Sequence, residues 1–254
     1  MVLFQKKPIP GEVPALFLHI QKTAGTSIVH VARQYYGQNI SSHGDCWGKA
    51  PEQLSHIGFI SGHVGYNFIR PLMQKRYTFT FLRDPAERIL SMYYFCKARD
   101  PSEFDIYQKA HEMDLSSFLA AGLSDPCVRM NIWNNQVWQL AHGYASPDGR
   151  TAEDFSEIEL LHLAKTHLGE FSSVGFTESF ASDSVRILKA LGLPVIAEVP
   201  KMNATPGRPC AAEQSTAVRK LLSCLTELDR QLYEHALNEL STSGRAKHPG
   251  WWPW

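Results

Sequence analysis

Lys22, His63 and Arg83 each stand just beyond an apolar run of this chain. A cation, an imidazole and a guanidinium so placed can neutralise an anion, take a proton and grip a phosphate. Residues 16–27 read LFLHIQKTAGTS. Leu16, Phe17, Leu18 and Ile20 make a buried strand, and the rest makes a turn into a helix. Gly25 lets the backbone come close to an anion, and Lys22 adds fixed positive charge. Thr23, Thr26 and Ser27 add hydroxyls, and the first N–H groups of the helix point outward. A polyphosphate or phosphosulfate is the natural ligand. A plain junction, with Thr and Ser serving only as helix caps, uses the same residues. The turn is not a Walker A loop, because Lys22 precedes Gly25 instead of following a second glycine.

Residues 77–96 read YTFTFLRDPAERILSMYYFC. The segment 77–82 is a second buried strand. Asp84 is placed to cap the next helix and Pro85 suits its first turn. Arg83 at the strand end and Ser91 about two turns into the helix can hold a phosphate monoester. Alternatively, Arg83 pairs with Asp84 or Glu87 and Ser91 faces the core. A short strand at 57–60 leads into Ser61-Gly62-His63. His63 is the candidate base, since imidazole titrates near working pH, with an ordinary value near 6.5. His19 lies in the first strand and reads as a sheet residue. His56 is a weaker candidate than His63.

The elements that must position these groups alternate. Strands are expected at 11–18, 57–60, 77–82 and 173–176. Helices are expected at 26–36, from Pro85 onward, within 100–123, and at 126–141, 153–167, 178–191 and 213–240, the last either continuous or broken near Cys224. Segments 39–50, 144–152 and 200–209 read as loops. This is α/β order: a central, mostly parallel sheet flanked by helices, with ligand beyond the carboxyl ends of the strands. The 254 residues suit one domain, 1–254, with a tail from about 243 ending in Trp251-Trp252-Pro253-Trp254.

Lys plus Arg and Asp plus Glu are 25 each, so formal net charge is zero and nothing favours nucleic-acid binding. A local basic cleft is compatible with that balance. The five cysteines, an odd number, have no C-x-x-C spacing, and no metal constellation is visible. A reducing, cytoplasmic setting is the default. No apolar stretch is long enough for a membrane helix. On residue types alone, a P-loop-type nucleotide kinase or phosphotransferase, or a nucleotide-binding module without turnover, remains open beside a group-transfer enzyme.

HIQKTAGTS followed by FLRDPAERILSMYYF resembles the 5′-phosphosulfate and 3′-phosphate loops of sulfotransferases that use 3′-phosphoadenosine 5′-phosphosulfate (PAPS). The likeness is to the carbohydrate branch, the heparan sulfate 2-O- and 6-O-sulfotransferases. SGHVGYNF at 61–68, NIWNNQVWQLAHG at 131–143 and PKMNATPGRP at 200–209 are similar to further segments of that branch, in the family's order. The 2-O enzymes carry His-Gly-His where this chain has Ser61-Gly62-His63. The resemblance implies a P-loop-like sulfotransferase fold, PAPS as donor and no metal. It implies a hydroxyl acceptor on a sugar or glycan. Lys22, Thr23, Ala24, Gly25, Thr26 and Ser27 would bind the donor's 5′ end, and Arg83 and Ser91 its 3′-phosphate. Thr205, Gly207 and Arg208 would lie in the loop that closes over the nucleotide. His63 would be the base, with Lys22 beside the bridging oxygen. Asn131, Asn134, Asn135 and Gln136 are candidates to reach the acceptor. Trp133, Trp138 and the pair Tyr35-Tyr36 are candidates to stack on sugar or adenine, although aromatic residues at this helical spacing are more often core. Animal members are anchored in the Golgi, which is the alternative location if the chain is part of a longer protein.

Overall fold

A computed structural model describes residues 9–194 and 208–243. Its centre is a five-stranded sheet: β1 (Ala15–Leu18), β2 (Ile40–Ser41), β3 (Phe59–Gly62), β4 (Tyr77–Leu82) and β5 (Ser173–Phe176). The order is β2-β3-β1-β4-β5 and every pairing is parallel. The expected mostly parallel sheet is therefore wholly parallel.

The alternation of strand side chains explains why both faces are covered. Ala15 and Phe17 of β1 pack with Phe59, Phe79 and Phe81 beneath α1 (Gly25–Tyr36). Leu16 and Leu18 face the opposite way, with Ile60 and Leu82, into a second apolar layer. Phe17 and Phe79 stack with ring centroids 4.7 Å apart. All four residues of β1 are buried, as a strand covered on both faces requires.

The remaining helices are α2 (Tyr66–Ile69), α3 (Pro85–Lys97), α4 (Asp105–Glu112), α5 (Leu115–Ala121), α6 (Pro126–Ile132), α7 (Asn135–Ala141), α8 (Glu157–Leu168), α9 (Phe180–Ala190), α10 (Thr216–Leu225) and α11 (Glu227–Ser243). α9 joins α1 on the Phe17 face, while α7, α8 and α11 cover the Leu16 face. α3 to α6 and α10 share a third apolar cluster.

Two sequence expectations are corrected. The loop 39–50 contains β2 and a 3-10 turn at His43–Cys46. The single helix 126–141 is two, because Asn134 takes a left-handed conformation, φ 39°. Its side chain explains the break. Asn134 Oδ1 accepts from the N–H groups of Leu228 and Asp229, at 3.0 and 3.1 Å. Asp229 in turn accepts from the N–H groups of Gln136 and Val137, at 3.3 and 2.7 Å. α7 and α11 thus cap each other's first turns, satisfying donors that a helix cannot satisfy internally. Burial raises the Asp229 carboxyl to about 6.

Candidate functional site

The parallel sheet brings the three candidate chemistry residues to one edge. His63 directly follows β3, Lys22 lies in the turn after β1, and Arg83 directly follows β4. β1 is the central strand of the three, so Lys22 is flanked by His63 on one side and Arg83 on the other. The chain leaves β1 for one half of the sheet and returns to β4 in the other half. A crevice at such a switch point is where open α/β sheets bind ligands.

The crevice is a cavity of about 1720 Å³, lined among others by Lys22, Ala24, Gly25, Thr26, Ser27, His63, Arg83 and Ser91. Its charged lining is uneven: Lys22, Arg83, Arg99, Arg129 and Arg150 against Asp105 and Glu153. The chain is neutral as a whole, but this cavity is cationic.

The turn after β1 is built differently from the sequence reading. Lys22 and Ala24 both hold left-handed backbone, φ 68° and 66°, and neither is glycine. Such positions cost an L-residue energy and concentrate where a loop must point its N–H groups inward at a ligand. Ala24 is also the cap of α1, and no side-chain hydrogen bond caps the helix. The turn is therefore not a Thr- or Ser-capped junction. Thr23 is turned into the protein, its hydroxyl donating to Ile20 O at 2.8 Å, and its side chain does not line the cavity. Gly25 has ordinary helical backbone. It must be glycine because a Cβ there would sit 2.2 Å from the His19 imidazole.

Lys22 is held largely out of water, with Nζ 3.5 Å from the centroid of the Phe95 ring. Burial lowers its ammonium to about 7. Cys96 opposes that shift, and the guanidinium groups of Arg83, Arg99 and Arg88 reinforce it. Arg83 Nη1 donates to Lys22 O at 3.0 Å, so the two loops are tied together. Arg83 Nε is buried and has no protein partner, leaving a donor for a ligand. The backbone of Arg83 is clamped by Gln136. Its N–H donates to Gln136 Oε1 at 3.0 Å, and its carbonyl accepts from Gln136 Nε2 at 2.9 Å. Arg83 does not pair with Asp84 or Glu87. Asp84 caps α3, accepting from Glu87 N–H at 3.0 Å, as expected. Glu87 pairs with Arg208 at 2.5 Å and accepts from Ala211 N–H at 2.6 Å. Arg208 is thus engaged beside α3 and does not line the cavity. Thr205 and Gly207 lie outside the described residues.

His63 Nδ1 lies 2.7 Å from the carbonyl oxygen of His19. A carbonyl only accepts, so Nδ1 carries the proton and Nε2 carries the lone pair. Burial lowers the imidazole to about 4, below the ordinary value the sequence suggested. His63 is therefore neutral and basic at Nε2 across the neutral range. Sequence reading placed His19 inside β1. It instead lies just past the strand, facing the same cavity, with its ring 4.4 Å from that of His63. His43, which sequence reading passed over, joins them, 6.2 Å from His63 and 6.0 Å from His19.

The polar helix residues serve mainly the scaffold. Asn134 caps α11, Gln136 holds Arg83, and Asn135 donates to Met130 O and to the Tyr144 hydroxyl. Asn131 lines the cavity. So do Trp133 and Trp138, with the Arg129 guanidinium 3.9 Å from the Trp133 ring. Tyr36 is core, its hydroxyl donating to Val13 O.

Comparison with known proteins gives one family match: the profile described as "Sulfotransferase family" fits residues 11–239. A search of curated proteins finds no match. Among solved structures, the crystal structure of mouse sulfotransferase SULT7A1 complexed with PAP matches 93% of this chain and 87% of its own. The identity is 13% and the TM-score 0.39.

Proposed function

This chain belongs to the sulfotransferase family, and from that premise we propose that it moves a sulfuryl group from PAPS to a sugar hydroxyl, with His63 as base. The observation that carries the reading is the edge of the sheet. Three adjacent parallel strands deliver His63, Lys22 and Arg83 to one cationic cavity.

The residues suit the donor. The left-handed turn 22–24 and the Lys22 ammonium would receive the 5′-phosphosulfate. Arg83, with an unpartnered Nε, and Ser91 would hold the 3′-phosphate. In the transfer, His63 Nε2 takes the hydroxyl proton as the acceptor oxygen bonds to sulfur. The bond from sulfur to the 5′-phosphate oxygen breaks, and the electron pair leaves on that phosphate. Lys22 balances the charge that grows there. The cavity exceeds the ~300–1,000 Å³ of an ordinary small-molecule site, so donor and acceptor fit together. Trp133 and Trp138 border the cavity, but Arg129 covers one face of Trp133 and Trp138 is buried against His142.

A kinase reading loses its metal ligand, because Asp84 is used as a helix cap. One observation favours a different acceptor. Trp47, Phe104, Leu123 and Met130 line the cavity yet are each about half exposed, which suits an apolar alcohol. We place the chain in a reducing compartment, supported by five cysteines that all stand free. Among the described residues no helix is long and apolar enough to cross a membrane.

The test is incubation with radiolabelled PAPS and two panels of acceptors, glycans and apolar alcohols. Label on glycans supports the proposal; label on apolar alcohols alone moves the acceptor to the second reading. His63→Ala should bind 3′-phosphoadenosine 5′-phosphate (PAP) as tightly as the wild type and transfer sulfate about 10²–10⁴-fold more slowly. A variant with unchanged turnover removes His63 from the mechanism.

A further inference from the structure

Three adjacent strands are each followed within two residues by a histidine. His43 follows β2, His63 follows β3 and His19 follows β1, and these strands are neighbours in the sheet. The fold therefore gathers three imidazoles that lie far apart in sequence. One ring nitrogen from each lies within 4.8 Å of the others. Three nitrogens around a tetrahedral ion at ~2.0–2.1 Å stand about 3.4 Å apart, so the set, within 4.8 Å, needs only a contraction of at most about 1.4 Å to close on an ion.

Further observations point to a ligand in this cluster. His19 Nδ1 is buried and has no hydrogen-bond partner, although a buried imidazole nitrogen ordinarily has one. The His19 ring is locked in place by Phe17, stacked at 5.0 Å, and by Gly25, which leaves no room for a Cβ. His63 gives its Nδ1 to a backbone carbonyl, the contact that orients a metal-bound imidazole and frees Nε2 to ligate. His43 is held at φ 53°, a left-handed conformation unusual for a non-glycine residue. Burial keeps all three rings toward the neutral, ligating form. Lys22, beside His19 and His63, and Arg33, beside His43, are neighbouring cations that oppose an ion here, while Asp45 beside His43 favours one.

We propose that His19, His43 and His63 bind one borderline divalent ion of the Zn²⁺ class, with the fourth coordination position open to the cavity. Three nitrogen donors without an oxygen ligand suit Zn²⁺ or Co²⁺ and not Mg²⁺ or Ca²⁺. The ion takes the Nε2 lone pair of His63. Binding therefore shuts off proton removal, and Zn²⁺ acts as an inhibitor of transfer. That inhibition rests on the reading of His63 as the base, whereas ion binding does not.

The experiment titrates the metal-free chain with Co²⁺ and follows visible absorption, then displaces Co²⁺ with Zn²⁺. One tetrahedral, nitrogen-ligated Co²⁺ per chain is expected. His43→Asn is the chosen variant, because asparagine tolerates left-handed backbone, and a thermal melt checks its fold. It should bind Co²⁺ at least about tenfold more weakly, on the scale of lost metal-site contacts. Cys224→Ser should bind normally, although Cys224 is exposed and a competing ligand. Unchanged binding by folded His43→Asn, or loss of binding in Cys224→Ser, overturns the site. The activity arm is separate: Zn²⁺ should inhibit the wild type, a chelator should restore it, and His43→Asn should resist. Zn²⁺ binding that leaves wild-type transfer untouched overturns the inhibitory role and counts against His63 as base.

Discussion

Donor binding should weaken as pH rises from 7 to 9, and Lys22 should be the cause. In the free protein burial holds its ammonium near 7. Beside the donor's phosphates it should return to the ordinary lysine value of about 10 or above. A group whose value rises on binding takes up a proton, so affinity falls as pH climbs through the free value. With values of about 7 free and about 10 bound, the dissociation constant of PAP rises about 50-fold between pH 7 and 9, or about 2.3 kcal/mol. Proton uptake should be about 0.5 per PAP at pH 7 and about 0.9 at pH 8. The neighbouring His63 and Cys96 do not titrate in this window. His63 is neutral above about 4, and burial pushes the Cys96 thiol up to about 12. Calorimetry with PAP, in buffers of different ionisation heat, measures both quantities. Lys22→Arg should give a flat profile, because guanidinium does not titrate in this range. A wild-type affinity that is constant from pH 7 to 9, or a slope that survives in Lys22→Arg, refutes the reasoning.

Ala24→Gly should stabilise the chain by about 0.5–1 kcal/mol, because glycine takes φ 66° without steric cost; a lower melting temperature would contradict this. Gln136→Ala removes both hydrogen bonds to the Arg83 backbone and should weaken PAP binding about tenfold; calorimetry at pH 7 decides. Asp229→Asn should change the pH dependence of stability. The folded carboxyl titrates at about 6, above its unfolded value of about 3.9, so its stabilising share is full below about pH 4 and lost as pH rises to about 6. Denaturant unfolding should show the wild type losing about 2–3 kcal/mol against Asp229→Asn between pH 4 and 7; parallel curves would contradict the assignment.

The sequence made the local features legible. β4 stands where aromatic and β-branched residues run between breakers, and α3 begins at Asp84-Pro85. The order of strand ends followed from α/β alternation, which placed Lys22, His63 and Arg83 on one edge. What remained hidden was long-range. β2 has two residues, too short for a pattern, and it carries His43 to the site. The break at Asn134 depends on α11, nearly a hundred residues away in the chain. Gly25 looked like an accommodation for an anion, while its direct constraint is the His19 ring. Ala24 capping a helix in left-handed backbone runs against residue preference, so no propensity signals it.

The mutual capping of α7 and α11 has a consequence for birth order. A chain is made from its N-terminus at ~5–20 residues per second. Lys22 and Arg83 leave the ribosome early, as do the strands that carry them. Gln136, which clamps Arg83, sits in the first turn of α7, and that turn is held by Asp229. Until Asp229 has been synthesised, the start of α7 lacks its cap and the clamp on Arg83 has no fixed support. The phosphate grip is thus completed only once Asp229 is made, well over a hundred residues after Arg83.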